Sequence, residues 1–333
     1  MPTCGSQIPI CDVPIRYDTY TGCTHACSYC FAKRLSDITQ VGLGETPRQL
    51  LNFIQGKRSS VTSWCDWDIP IHWGGVSDPF QPCERLYRRS LESLKVFRET
   101  KYPYIVSTKA TLPAEDEYLD IIKDTNVVFQ VSMVSERYNK FESGCPSFAE
   151  RLEMVKTLTP YVKRMVIRAQ PFVLEVEQDI IDAMPAYRDA GVYGIILEGM
   201  KYRTKRADTE KWYGDNVLKK GLLKRSFQRI KEEAHKHNLV FLCGENRLRS
   251  MSDDLTCCGC GGLEGFEVNK LNFNSFNLGR EYEPTKAQQT TGTAGAFITM
   301  LQGMEHKYGL ALKKLSFDEM MKLHHNKHNK MIS

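Results

Sequence analysis

Gly22-Cys23-Thr24-His25-Ala26-Cys27-Ser28-Tyr29-Cys30-Phe31 sets three cysteines at Cys-x3-Cys-x2-Cys spacing, directly after the apolar run 15–20 that reads as a buried strand. A loop this short can wrap three thiolates around one inorganic centre. A cubane iron–sulfur cluster has four irons, so three cysteines leave one iron open, and that iron can take a small molecule through oxygen and nitrogen. Zinc held by the same thiols with His25 is the competing reading, and unrelated core thiols are a third. Zinc sites usually come as paired knuckles, and no second pair lies close by. The spacing therefore predicts a [4Fe–4S] cluster on Cys23, Cys27 and Cys30.

Outward from this loop, short β-branched or aromatic runs alternate with amphipathic helical patterns. Strands are predicted over 15–20, 69–75, 104–107, 127–133, 164–170 and 193–197, with a further short one over 239–242. Helices are predicted over 84–99, 114–124, 147–158, 177–190 and about 218–237. The one at Ser147 carries a capping box, with Glu150 three residues on. Such alternation implies a parallel sheet with right-handed crossovers. Six repeats suit a closed or partly closed barrel, and a doubly wound open sheet is the competing α/β architecture. In either, chemistry collects at the C-terminal ends of the strands. Residues 1–242 are read as the barrel and 243–333 as a Cys-rich C-terminal extension.

With 333 residues, 26% charged and 41% hydrophobic, the chain is long enough for one barrel-sized domain with an appendage. It contains no apolar run of about 18 residues and no secretory leader, which predicts a cytoplasmic protein without a membrane partner. The formal charge of +5 is compatible with an anionic partner but does not demand one. Twelve cysteines in a reducing compartment point to metal or cluster ligation before disulfides. The histidines over 323–328 read as a solvated terminus rather than as ligands.

The triad, Tyr29 before its third cysteine and its place after a strand resemble the radical S-adenosylmethionine (SAM) superfamily. Val76-Ser77-Asp78-Pro79-Phe80-Gln81-Pro82-Cys83-Glu84 is similar to the strand-end motif of the spore photoproduct lyase-like branch. So are Ser107-Thr108-Lys109, Val131-Ser132-Met133 and Arg168-Ala169-Gln170-Pro171-Phe172. The resemblance covers about residues 15–245. It implies a partial (β/α)6 barrel that cleaves SAM reductively to a 5′-deoxyadenosyl radical, with an electron donor such as flavodoxin or ferredoxin. It further implies that Gly74, Gly75 and Ser77 meet SAM, that Tyr29 packs beside the adenine, and that Lys109 pairs with the SAM carboxylate. Ser132 would hydrogen-bond SAM, and Arg168 would bind SAM, substrate or a carboxylate such as Glu198.

The lyase acts on DNA and uses a cysteine of the second-strand loop as hydrogen donor. Here that loop, 74–78, has no thiol. Cys83 just beyond it is the candidate for the catalytic role, and Cys65 precedes the strand. The resemblance and the charge favour a nucleobase or nucleic-acid substrate. Basic stretches at 85–89 and 201–211 would meet phosphates, and Tyr202, Trp212 and Tyr213 would stack bases. A peptide substrate and a non-catalytic metal-binding protein remain alternatives. Cys243, Cys257, Cys258 and Cys260 match a Cys4 site in number, open to a second iron–sulfur cluster, to zinc, or to free redox thiols. Cys4, Cys11 and Cys145 have no partner at ligand spacing and read as structural.

Overall fold

A computed structural model describes residues 1–4, 11–34, 37–57, 69–212, 215–254 and 256–269. The histidine tail, Cys65 and Tyr213 lie outside the described residues.

The elements, in chain order, are β1 (Thr3–Cys4), β2 (Ile15–Tyr17), α1 (Pro47–Ile54), β3 (Ile71–Trp73), α2 (Glu84–Tyr87), α3 (Arg89–Thr100), β4 (Tyr104–Thr108), α4 (Asp116–Ile122), β5 (Val127–Ser132), α5 (Phe148–Leu158), β6 (Arg164–Phe172), α6 (Glu177–Asp189), β7 (Gly194–Gly199), β8 (Lys201–Tyr202), β9 (Thr209–Trp212), β10 (Asp215–Leu218), α7 (Lys220–Lys236) and β11 (Val240–Cys243). Seven strands, β2 through β7 and then β11, pair parallel in strict chain order. β1 adds an antiparallel edge. A doubly wound sheet reverses its strand order and carries helices on both faces. This sheet does neither. Outward-facing strand residues such as Trp73, Phe129, Ile167 and Leu197 share one core with α1 and α3 to α7. Among the described residues, the opposite face (Ile105, Val128, Val166, Ile196, Leu242) packs on loop segments. The α/β class and the partial barrel order read from the sequence are those observed. No β1–β11 pairing closes the sheet among the described residues.

Local signals account for the element ends. Ser147 and Glu150 form the capping box expected at α5, and Thr46 with Gln49 forms another at α1, with Pro47 at the first helical position. The predicted single helix over 84–99 is two helices, because Arg88 takes a left-handed backbone (φ 51°) between α2 and α3. Between β7 and α7 the chain forms an antiparallel sheet of order β8-β10-β9, which was read from the sequence as a basic loop. The described part of the C-terminal region does not stand apart. Cys258, Cys260 and Phe266 are buried against the inner face of the barrel sheet.

Candidate functional site

The three-cysteine loop is fixed by the segment after β3. Thr24 N–H donates to Gln81 Oε1 (2.9 Å), and Gln81 Nε2 donates to the carbonyl of Gly22 (2.8 Å), so one buried amide grips the loop at two points. Cys23 N–H donates to Ile38 O (2.9 Å), and a Cβ at Gly22 would stand 2.4 Å from Gln40 O, so only glycine fits there. Buried Asp78 is the second anchor. Its carboxylate meets His25 Nε2 at 3.0 Å and accepts from Phe80 N–H (2.9 Å), Thr108 Oγ1 (2.8 Å) and Lys109 N–H (2.6 Å). It thereby ties the loop to the end of β4. Burial alone would raise the Asp78 pKa, but His25 and these donors hold it below the usual carboxylate range.

Glu142 forms a third anchor. Its carboxylate pairs with Arg151 (2.6 Å) and Lys109 Nζ (3.1 Å) and accepts from Tyr29 Oη. Lys109 and Arg151 keep its pKa low against burial. Cys27 Sγ lies 3.8 Å from Cys145 Sγ, so Cys145, read as structural, touches the triad. Cys23, Cys27 and Cys30 are all free thiols.

The other predicted residues fall as follows. Gly74 has φ +82°, and a Cβ there would sit 2.5 Å from Ser107 O. The fold itself demands this glycine. At Gly75 an added Cβ would meet only the Arg16 side chain, at 3.2 Å. Ser77 donates to Tyr20 O (2.6 Å), and its hydroxyl is spent inside the protein. Lys109 is engaged by Glu142, with Nζ 5.7 Å from the Tyr29 ring centroid. The Ser132 carbonyl accepts from Arg151 (2.6 Å). Cys83 stands at the start of α2 with its thiol pushed up to about 11 by burial.

Arg168 belongs to a polar belt that the sequence reading missed. The belt crosses the inner face strand by strand. Arg16 (β2) donates to His72 Nδ1 (β3), and His72 Nε2 donates to Ser107 Oγ (β4, 3.1 Å). Ser107 then donates to Gln130 Oε1 (β5, 2.9 Å). Arg168 (β6) also donates to Gln130 Oε1 (2.6 Å) and to Gln170, which donates to Glu198 (β7). This order of donors requires a neutral His72. Burial, then Arg16 and Arg168, hold its pKa well below the ordinary value. Arg168 thus reaches Glu198 through Gln170. Burial raises Glu198 to about 7, partly offset by Lys201. The signal available in the sequence was one polar residue at an inward position of each apolar strand.

The second cysteine group divides. Cys243 faces the outer core and donates to Glu245 O (3.6 Å), whereas Cys258 and Cys260 pack in the inner one. Cys257 Sγ and Cys258 Sγ are 3.8 Å apart. The Cys258 thiol, donating to Cys257, holds it well below the ordinary thiol range; burial opposes and Arg249 assists. Among the described residues no three His, Cys, Asp or Glu side chains converge closely enough to hold a single metal ion.

A cavity of about 560 Å³ opens beside the loop, at the strand ends. Ser28, Tyr29 and Cys30 form one wall, and Tyr138, Lys140 and Phe141 another. Arg137, Lys201, Tyr202, Arg203 and Arg206 also line it, beside the apolar Val173, Val176 and Met200, with Glu175 as the acid among the lining side chains. Thus the basic run at 201–211 reaches the cavity through β8 and the turn after it. The run at 85–89 does not: Arg85 pairs with Glu115 and Arg88 with Glu117 on the helical surface. Trp212 packs beneath Arg247, 5.5 Å from its guanidinium.

No family model matches this chain, and no curated protein does. Solved structures do. Spore photoproduct lyase complexed with dinucleoside spore photoproduct superposes with a TM-score of 0.57 at 14% identity, over 69% of this chain and 76% of that one. The fold is that of spore photoproduct lyase. A mutant of the lyase with bound AdoMet and dinucleoside spore photoproduct gives a TM-score of 0.56 at 14% identity, and another mutant 0.56 at 16%, each with the same coverage. Within the lyase fold, the donor set suits a polynuclear cluster. It offers three free thiols on one pinned turn, with Cys30 at a cavity wall, and a cubane takes its thiolates on separate irons. None of the described helices is long and apolar enough to cross a membrane.

Proposed function

We propose that this chain is a radical SAM enzyme acting on a nucleic acid or nucleotide. The observation that carries the substrate class is the cavity beside Cys30, whose lining includes Lys140, Arg203 and Arg206 together with Tyr138, Phe141 and Tyr202. Cations recognise phosphate, and aromatic rings give bases a stacking surface. When bound at Cys23, Cys27 and Cys30, a [4Fe–4S] cluster supplies the electron for reductive cleavage of SAM, drawn from a flavodoxin- or ferredoxin-type donor.

The chain's own residues prepare the place. Gln81 and the Asp78–His25 pair hold the cysteine loop against the ends of β3 and β4. Glu142 keeps Lys109 and Tyr29 together at the cavity edge, fixing a cation beside an aromatic face. Gly75 after β3, Ser132 at the end of β5 and Arg168 within β6 are the proposed SAM-side contacts. Gln130 and the Gln170–Glu198 pair hold Arg168 in place.

The test is binding of single-stranded DNA, duplex DNA and RNA by fluorescence anisotropy across a potassium chloride series. Lys140→Ala and Arg203→Ala should each weaken binding and lower the salt slope by about 1. Absence of salt-sensitive binding to all three nucleic acids refutes the substrate class. Hydrogen transfer from a peptide pool instead would assign the chemistry to peptides.

A further inference from the structure

Residues 256–261 form a tight turn pressed into the inner face of the sheet, and it is pinned from several sides. Gln130 Nε2, a member of the polar belt, donates to Cys258 O (2.9 Å). Arg164 donates to Gly259 O and Gly261 O (2.9 Å each). Asp254 Oδ1 accepts from Thr256 N–H (2.7 Å) and Gly261 N–H (3.1 Å), and Thr256 Oγ1 accepts from Cys260 N–H (3.1 Å). A loop held this way presents its side chains in a fixed arrangement. Cys257 is half-buried and Cys258 is buried, with their sulfurs in contact at 3.8 Å.

The surroundings favour sulfur chemistry at Cys257. Arg249, 2% exposed, pairs with Asp12 and donates to Cys243 O (2.8 Å), and its Nε has no hydrogen-bond partner. Cys260 is set aside by its contact with Thr256 Oγ1 (3.5 Å), and Cys243 by its place in the outer core. Cys257 is the more accessible thiol of the turn, and buried apolar thiols such as Cys260 are the inert kind.

We propose that Cys257 and Cys258 are a redox-active vicinal dithiol that exchanges with small disulfides at the inner face of the sheet. The Cys257 sulfur attacks one sulfur of the small disulfide, breaking its S–S bond, forming a mixed disulfide and releasing one thiolate. Cys258 then attacks the Cys257 sulfur, forms the Cys257–Cys258 bond and releases the second thiolate, and its proton goes to that leaving group. Two electrons pass from the pair to the small disulfide, which leaves as one thiolate and one thiol. Neighbouring residues hold their Cα atoms about 3.8 Å apart, inside the usual span of disulfides, so the closed form is strained and easily reduced. Strained disulfides are the labile, working kind rather than the structural kind. Gly259, at φ +74°, gives the turn the backbone freedom to close.

The test equilibrates the full chain anaerobically with fixed ratios of oxidised to reduced glutathione. After acid quench, free and then reducible thiols are alkylated with light and heavy reagents, and the tryptic peptide 250–270 is weighed. Cys257 and Cys258 should oxidise together and return fully in excess reduced glutathione. Cys260→Ser should leave the pair intact, and Cys258→Ser should trap a stable glutathione adduct on Cys257. Iodoacetamide should modify Cys257 at least about tenfold faster than Cys260. Melting curves of each variant confirm that it is folded. A disulfide joining Cys260 or Cys11 instead, or a Cys257 no more reactive than Cys260, overturns the proposal.

Discussion

Replacing Gln81 with leucine tests how the cysteine loop is held. The substitution keeps side-chain bulk but removes the acceptor for Thr24 N–H (2.9 Å) and Thr24 Oγ1 (3.3 Å), and the donor to Gly22 O (2.8 Å). Each orphaned buried backbone group costs about 1–3 kcal/mol. Thr24 is exposed, so water recovers most of its loss, and the buried Gly22 carbonyl leaves about 1–3 kcal/mol against the closed loop. That cost raises the open fraction roughly 5- to 150-fold. The Cys23 amide, bonded to Ile38 O, reports this opening. Native-state hydrogen exchange should quicken at Cys23 by that factor, while amides in β5 such as Val131 keep their protection. Iron retained after anaerobic reconstitution should fall in parallel. Unchanged exchange at Cys23, or an equal rise in β5, would refute the idea that Gln81 acts locally on this loop.

Two further outcomes follow from single residues. Gly74→Ala forces a Cβ to 2.5 Å from backbone at φ +82° and should destabilise severely, whereas Gly75→Ala meets only the flexible Arg16 side chain and should be mild; thermal midpoints of the two variants check this. Glu198 has its pKa raised from 4.5 to about 7, chiefly by burial, so the folded chain holds a proton the unfolded chain releases between those values. Its contribution to stability is full below about pH 4.5 and is lost as pH rises through about 7. Glu198→Gln keeps an acceptor for Gln170, so its urea midpoint should gain on the parent between about pH 5 and pH 8. A constant gap would contradict the shift.

The strands were legible because each is a short apolar run between turn residues, and their order followed from the alternation with helices. β8, β9 and β10 escaped because they are two to four residues long, rich in charge and without alternation. α1 escaped although Thr46-Pro47 with Gln49 carried a capping signature. At the site, local spacing gave the three cysteines but not their supports. Glu142 meets Lys109, Arg151 and Tyr29 only through the fold, and no sequence pattern marks it. The belt was within reach: His72, Gln130 and Arg168 are polar residues in otherwise apolar strands, where an inward side chain must find a partner. The division of the second cysteine group was not, because strand alternation turns Cys243 outward while a distant turn brings Cys258 and Cys260 inside.

Anaerobic reconstitution with iron and sulfide, followed by SAM and dithionite, bears most directly on the chemistry proposed. The full chain should bind about four irons, absorb as an iron–sulfur protein and release 5′-deoxyadenosine, and serine at Cys23, Cys27 or Cys30 should abolish both binding and release. A reconstituted chain without iron–sulfur absorption, or 5′-deoxyadenosine formed undiminished by the serine variants, would contradict it.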